Sequence, residues 1–157
     1  VADTSNHRIR KITSDQVVST LVGYSNGYVN STATSARFSS PYGVTVGHSN
    51  ELYVADRSNN RIRKVTISDK EVENYAGSNE NGFSNGNVSA AQFYSPEGIV
   101  IDSNNNIYVA DTANHRIRKI TPEGEVSTFA GGERCEGLRS SDLFWSVLIF
   151  FNICKHF

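Results

Sequence analysis

Methionine, proline and cysteine are scarce in this chain. Its 157 residues include no Met, three Pro, two Cys and one Trp. Both cysteines, Cys135 and Cys154, fall in the last quarter of the chain, which excludes a disulfide framework or a Cys-x-x-Cys site from residues 1–132. Without an initiating methionine we expect the sequence to be a fragment, so that an absent signal peptide says nothing about secretion.

Net charge and long apolar runs are also lacking. Fifteen basic and sixteen acidic side chains give a formal charge of −1, so no overall field draws the chain to DNA, RNA or an anionic membrane. The strongest apolar stretch, residues 143–151, is about half as long as the roughly 20 residues that a membrane-spanning helix needs. The tail that contains it, residues 133–157, has three open interpretations: a truncated anchor, a cover for the last repeat, or sequence that is not the native continuation. The abrupt loss of the repeat favours the third.

One motif is written three times, and it organises residues 1–132. Its core reads Asn-His-Arg-Ile-Arg-Lys in the first and third copies and Asn-Asn-Arg-Ile-Arg-Lys in the second. Each core follows an Ala-Asp pair, and the aspartates Asp3, Asp56 and Asp111 stand 53 and 55 residues apart. A period of this length indicates stacked structural units, two complete and one partial, and argues against a single two-layer domain.

Each complete copy predicts four short antiparallel strands. Proline and glycine precede the first strand, and polar turns separate it from the next three. We expect all strands to lie within residues 1–22, 43–77 and 98–131. The expected spans in chain order are residues 44–46, 52–55, 61–67 and 72–76 in one copy and residues 99–101, 107–110, 116–121 and 126–130 in the next.

The third strand predicts a stack of sheets. Ile117 and Ile120 are three residues apart, so side chains that alternate along a strand place them on opposite faces. A sheet that is apolar on both faces needs cover on both. The sequence therefore predicts an all-β fold, a partial β-propeller made of four-stranded antiparallel blades, in which each blade is packed between neighbours.

Long connections, residues 23–41 and 77–96, join the last strand of one copy to the first strand of the next. They are rich in Ser, Asn and Gly, yet aromatic residues recur in them, which favours ordered loops that pack on the blade. We expect these loops to lie on one face near the propeller axis and to supply binding residues. The candidate binding residues are Tyr28, Arg37, Tyr42, Tyr94 and Glu97.

Several motifs occur together and in order over residues 1–132: Ala-x-Phe-x-x-Pro-x-Gly, Tyr-Val-Ala-Asp, Asn-His-Arg-Ile-Arg-Lys and a closing Ala-Gly. This combination resembles the NHL repeat family. The resemblance implies a β-propeller, usually six-bladed, that binds protein or RNA partners or acts as a scaffold. Because the chain offers two complete blades and part of a third, we expect it to need further blades or self-association.

The recurrent aspartates have a structural and a functional interpretation. Each is followed by arginines five and seven residues later, and we favour the structural interpretation, in which the carboxylate accepts hydrogen bonds from turn amides and pairs with an arginine. The residues of this structural motif are Asp3, Asp56, Asp111, Arg8, Arg61 and Arg116. The Arg-x-Arg-Lys stripes could bind a phosphate backbone. Residues 1–132 carry twelve basic and thirteen acidic side chains, however, so RNA is not the favoured partner.

No catalytic or metal site is predicted, and no cofactor is expected. Residues 102–106 have the composition of a calcium loop but lack its glycine and its last glutamate, and His7 and His115 lie in separate copies. The leading hypothesis is a non-catalytic module with a protein partner. A propeller enzyme, either a lyase or a hydrolase with a channel metal, and an RNA-binding propeller stay open as alternatives. Glycosylation sequons at Asn30 and Asn87 favour an extracellular or cell-surface location.

Overall fold

The structure is a computed structural model that describes residues 1–78 and 80–132. None of the described helices is long and apolar enough to cross a membrane. The tail, with its apolar stretch and both cysteines, lies outside the described residues. Within the described part the chain forms thirteen strands: β1 (Ala2–Asp3), β2 (Arg8–Ile12), β3 (Val18–Val22), β4 (Ser31–Thr32), β5 (Pro41–Val46), β6 (Glu51–Asp56), β7 (Arg61–Thr66), β8 (Glu71–Ala76), β9 (Gly86–Asn87), β10 (Pro96–Ile101), β11 (Ile107–Asp111), β12 (Arg116–Ile120) and β13 (Glu125–Gly131).

The strands form three antiparallel sheets, which we call blades 1, 2 and 3. Blade 1 has the strand order β1-β2-β3, blade 2 the order β5-β6-β7-β8-β4, and blade 3 the order β10-β11-β12-β13-β9. The predicted four-stranded meander is present in both complete blades. The preceding loop adds a fifth strand of two residues, which the sequence does not predict, to the outer edge of each.

Blade 2 is packed on both of its faces. On β7, Ile62 lies in an apolar cluster with side chains of blade 3, whereas Val65 lies in a second cluster with side chains of blade 1. Both side chains are fully buried. Two residues that are three apart on one strand thus cover opposite faces of the sheet, as the alternation of side chains requires. The predicted stacking of blades is confirmed.

A short 3-10 helix connects the second and third meander strands of blades 2 and 3 and the first two strands of blade 1. Hydrogen bonds from Ser58 and Asn59 to the loop 23–41 place this helix at the same end of blade 2 as the long loop. Each helix ends at a histidine or asparagine in the left-handed conformation, with φ between 54° and 56°. Asparagine and histidine are among the non-glycine residues that most often adopt it. These three helices are Thr4–Asn6, Arg57–Asn59 and Thr112–Asn114, and a further 3-10 helix, Ala33–Ser35, lies within the loop 23–41.

The long loops take a wider path than the sequence predicts. Ser31 of β4 pairs with Val72 of β8 at the outer edge of blade 2, and Phe38, later in the same loop, is fully buried in the cluster between blades 1 and 2. The loop therefore follows the outer edge of the blade and fills the space between blades before it reaches the inner strand. Sheets arranged around an axis diverge outward, and the aromatic side chain occupies the gap.

Candidate interaction surface

A buried ion pair joins the end of β6 to β7. Nη1 of Arg63 lies 3.0 Å from Oδ2 of Asp56, and neither side chain is exposed to solvent. The carboxylate also accepts the backbone N–H of Ser39 at 2.7 Å and the amide N–H of Asn59 at 2.8 Å. The Asp56 carboxylate therefore accepts hydrogen bonds from a loop amide and a turn side chain, and it pairs with Arg63 instead of Arg61, the arginine of the predicted motif. Blade 3 repeats the set with Asp111, Arg118, Tyr94 and Asn114.

Burial and hydrogen bonding act in opposite directions on these carboxyl groups. Burial raises the pKa of Asp56, while the hydrogen bonds from Asn59 and Ser39 and the charge of Arg63 lower it. Burial likewise raises the pKa of Asp111 above its ordinary value. Because an unpaired carboxylate is costly to bury, the donors around it are what allow a charged group in the interior.

Arg63 also fixes the long loop onto its blade. Its guanidinium donates to the backbone oxygens of Val29 at 3.2 Å and Arg37 at 3.1 Å, and to Oδ1 of Asn30 at 2.6 Å. A single buried side chain thus connects strand, turn and loop. In blade 3, Arg118 makes the corresponding contacts with Ser84, Asn85 and Gln92.

The first arginine of each motif stacks on an aromatic side chain of the loop. The Arg61 guanidinium lies 4.4 Å from the ring centre of Tyr28, and Arg116 lies 3.8 Å from that of Phe83. Arg8 and Tyr24 make a longer contact of 5.6 Å. Tyr28 and Phe83 remain 40% and 42% exposed, so cation–π contacts hold two aromatic rings in place at the surface.

The predicted binding residues fall into two groups, one on the loop and one at the inner strands. In the loop group, Tyr28 and Arg37 are adjacent, because Val29 and Arg37 form a β-bridge and the Arg37 side chain packs against Gly27. Arg37 is exposed and its backbone oxygen accepts the bond from Arg63. The loop group is thus held by the buried arginine beneath it.

The inner group comprises Tyr42 and Glu97 on β5 and β10, with Tyr94 just before β10. The two tyrosines are each 44% exposed. Oε1 of Glu97 accepts a hydrogen bond from Nε of Arg57 at 2.9 Å, which links blades 2 and 3 across their boundary. The sequence interpretation missed Arg57. The available signal was its replacement of the threonine that stands at the equivalent positions in the other copies.

These surface positions differ between the blades, whereas the positions beneath them are the same. Tyr28, Arg37 and Tyr42 of blade 2 correspond to Phe83, Gln92 and Glu97 of blade 3. The Asp, Arg and Phe residues that support them are identical in both blades. A repeated scaffold therefore carries a surface that is not repeated.

The remaining polar motifs form turns. Among the described residues there is no group of three or more His, Cys, Asp or Glu side chains that could hold a metal ion. Asp102 accepts hydrogen bonds from Asn104, Asn106 and the hydroxyl of Tyr108, so its carboxylate serves the turn between β10 and β11.

The two sequons lie in equivalent loops but not at equivalent positions. Asn30 corresponds to Asn85, and both amide oxygens accept a hydrogen bond from a buried arginine. Asn87 instead accepts bonds from Ser89 and Ala90 in its own turn. The location of the protein stays a prediction from sequence.

The blades are antiparallel sheets packed face to face, and blades 2 and 3 each have a buried aspartate–arginine pair and a loop wedged against the preceding blade. This arrangement defines a repeat protein of the β-propeller class. The family model for the NHL repeat matches residues 38–65 and 93–120, which include the wedge phenylalanine and the Asp–Arg motif of blades 2 and 3. The chain therefore carries two NHL repeats.

Relatives of known name share the repeat over a small part of their length. NHL repeat-containing protein 2 of Gallus gallus is 42% identical over 99 residues, which is 62% of this chain and 13% of that protein. The Homo sapiens protein of the same name is 43% identical over 93 residues, or 58% and 12%. Protein SUPPRESSOR OF QUENCHING 1, chloroplastic, of Arabidopsis thaliana is 38% identical over 80 residues, or 51% and 8%.

Solved structures show the same fold. An auxiliary nutrient binding protein from Bacteroides thetaiotaomicron superposes with a TM-score of 0.66 and 22% identity, over 81% of this chain and 34% of that one. A virginiamycin B lyase from Staphylococcus aureus gives 0.58 and 20%, over 86% and 38%. The chain thus spans about a third of these propellers, and at this identity the likeness shows the fold alone.

Proposed function

We propose that this chain is a non-catalytic interaction module that binds a protein partner through the loops 23–41 and 77–96 and the adjoining ends of the inner strands. The observation that carries the proposal is the unrepeated, exposed set Tyr28, Arg37, Tyr42 and Tyr94 on a scaffold that is otherwise repeated. The repeat does not require a charge at position 37 or a ring at positions 42 and 94, since the corresponding residues of the other blade are Gln92, Glu97 and Ser39. An aromatic ring does recur at position 28, as Phe83.

The chemistry of this surface suits protein recognition. Tyrosine and arginine dominate the energetically important positions of protein interfaces. Tyr28 is already held by Arg61 and Arg63, so little side-chain entropy is lost when a partner covers it. The Glu97–Arg57 pair adds a charge of each sign at the boundary between blades.

RNA is a weaker candidate because four arginines of the Arg-x-Arg-Lys stripes already contact other parts of the protein. Arg63 and Arg118 are fully buried, and Arg61 and Arg116 face aromatic rings. A phosphate backbone needs several accessible cations, and these four are committed to the fold. The side chains described give no support to the alternative of a propeller enzyme. Substrate turnover that a chelator abolishes would be the test of that alternative.

The proposal is tested by partner capture with single variants. The immobilised wild-type chain is compared with the loop variants Tyr28→Ala, Arg37→Ala and Tyr94→Ala. Lys11→Ala and Phe129→Ala serve as controls, because they change exposed residues outside the loops. We expect the wild-type chain to capture a protein that the loop variants bind about tenfold more weakly. Both control variants should bind this protein as tightly as the wild-type chain does. Equal capture by all variants contradicts the proposal. Capture that nuclease abolishes and that falls steeply with salt assigns the surface to RNA instead.

A further inference from the structure

In blades 1 and 2, the residue that follows the 3-10 helix between the strands also contacts the next blade. Oδ1 of Asn60 accepts the backbone N–H of Ser95 at 2.8 Å, and Nδ1 of His7 accepts the backbone N–H of Ser40 at 3.0 Å. The acceptor residues have φ values of 55° and 56°, and the two serines have φ values of 51° and 50°. The same backbone geometry therefore occurs at both boundaries between blades. The acceptor is His7 between blades 1 and 2 and Asn60 between blades 2 and 3.

The two acceptors differ in their response to protons. An asparagine amide oxygen accepts a hydrogen bond throughout the physiological pH range, whereas an imidazole nitrogen accepts one only while it carries no proton. Protonation would place two N–H donors, Nδ1 of His7 and the amide of Ser40, against each other. We propose that the boundary between blades 1 and 2 is a pH-sensitive contact that loosens when His7 is protonated, while the boundary between blades 2 and 3 is insensitive.

Two carboxylates lie on elements next to this contact, and both already accept hydrogen bonds: Asp56 from Ser39, Asn59 and Arg63, and Asp3 from Asn6. The packed loop and inner strand, residues 23–46, contain no Asp or Glu, and their titratable or charged side chains are Tyr24, Tyr28, Arg37 and Tyr42. On the hairpin of His7 itself, Asp3 accepts a bond from Asn6, and the Arg8 side chain donates to the backbone oxygen of Tyr24.

The position of the contact connects it to the interaction surface. Ser40 directly precedes β5 and lies between Arg37 and Tyr42 in the chain. His7 packs against the same loop through its backbone oxygen, which faces Gly23. Loosening of this contact on protonation of the imidazole would release the segment that carries two of the proposed binding residues. The pH-sensitive contact itself is inferred from the hydrogen bond between Ser40 and His7 and does not depend on the proposed partner.

Amide exchange measured by NMR tests the proposal, with Ser95 as an internal control. Between pH 7.5 and pH 5.5, after correction for the intrinsic exchange rate, we expect the protection of the Ser40 amide to fall about tenfold, the change expected for the loss of one hydrogen bond. The protection of the Ser95 amide should stay constant. Parallel behaviour of the two amides overturns the proposal.

Exchanging the two acceptors provides matched variants. His7→Asn copies the residue that performs this role in blade 2, so the fold is retained and the pH response of Ser40 should disappear. Asn60→His should transfer that response to Ser95. A pH response of Ser40 that survives in His7→Asn overturns the assignment of the effect to this imidazole.

Discussion

At the scale of single residues, Arg63 and Arg118 explain why the repeat carries its charged motif. They are the largest side chains that are fully buried in the described part of the chain. A buried charge is tolerated only where a counter-charge and hydrogen-bond acceptors surround it. Asp56 or Asp111 supplies the charge, and loop carbonyls supply the acceptors. The Asp–Arg motif thus connects the strand to the loop.

Replacement of Arg63 by methionine tests this role. The variant leaves Asp56 buried without its counter-charge and leaves loop carbonyls without a donor, so we expect the free energy of unfolding to fall by about 3–5 kcal/mol. Urea denaturation measures the change.

Lys64→Met is the control for this experiment. Lys64 is the next residue along β7 and forms an exposed ion pair with Glu73, so its removal should cost no more than about 1 kcal/mol. Similar losses in the two variants would show that burial of the pair does not govern stability.

The sequence predicted the partners of the motif only in part. Asp56 and Arg61 are directly opposite each other in the β6–β7 register, which is the arrangement in which cross-strand pairs form most readily. The ion pair nevertheless involves Arg63, because Arg61 turns toward Tyr28 and the backbone oxygen of Gly77. That choice depends on the loop, whose position is not encoded in the strand pattern.

At the scale of elements, the long loop is a wedge between blades. The recurrence of aromatic residues correctly predicted an ordered loop, since Phe38 and Phe93 are fully buried. The outer strands β4 and β9 could not be predicted, because Ser31-Thr32 and Gly86-Asn87 share no residue pattern and two residues show no periodicity. Their pairing is set by the path that the loop takes around the blade.

The wedge makes a prediction about two aromatic residues. Phe38→Ala removes a side chain with no solvent exposure and should lower the free energy of unfolding by about 3–5 kcal/mol. Phe83→Ala removes a ring that is 42% exposed, and we expect about 1 kcal/mol from its contact with Arg116. Thermal and urea unfolding measure both. A larger effect for Phe83 would contradict the wedge.

The contact between inner strands makes a second prediction at this scale. A Cβ at Gly43 would overlap the backbone oxygen of Glu97, whereas a Cβ at Gly98 would meet only the Cβ of Ala110 at 3.5 Å. Neither glycine has a φ in the left-handed region, so the two substitutions differ only in the room available for the added methyl group. Gly43→Ala should destabilise by about 1–3 kcal/mol, and Gly98→Ala should change stability by less than about 0.5 kcal/mol. Equal effects would exclude a close approach of β5 and β10.

At the scale of the whole molecule, the outer face of blade 1 is less covered than the faces between blades. Ile12 and Val18 of blade 1 are 57% and 52% exposed, whereas their counterparts in blade 2, Val65 and Val72, are 0% and 1% exposed. Repeat proteins bury such faces against a neighbouring unit. We propose that this face is covered in solution, by further blades or, in the isolated chain, by a second copy.

Self-association of the isolated chain follows from the exposed face. Sedimentation velocity should show concentration-dependent association of the wild-type chain, because contiguous exposed apolar side chains favour intermolecular contact. The double variant Ile12→Thr with Val18→Thr should reduce it without loss of folding. A wild-type chain that remains monomeric across the concentration range contradicts this expectation.

The central claim is that blade 2 is stable because neighbours cover both of its faces. The most direct test is hydrogen–deuterium exchange in β7 and β12, since both strands lie between two hydrogen-bonded partners. Among the described residues, β7 has a blade on either side and β12 has one on a single side. The account predicts slower exchange for residues 61–66 than for residues 116–120. Equal exchange in the two strands, or faster exchange in β7, would contradict it.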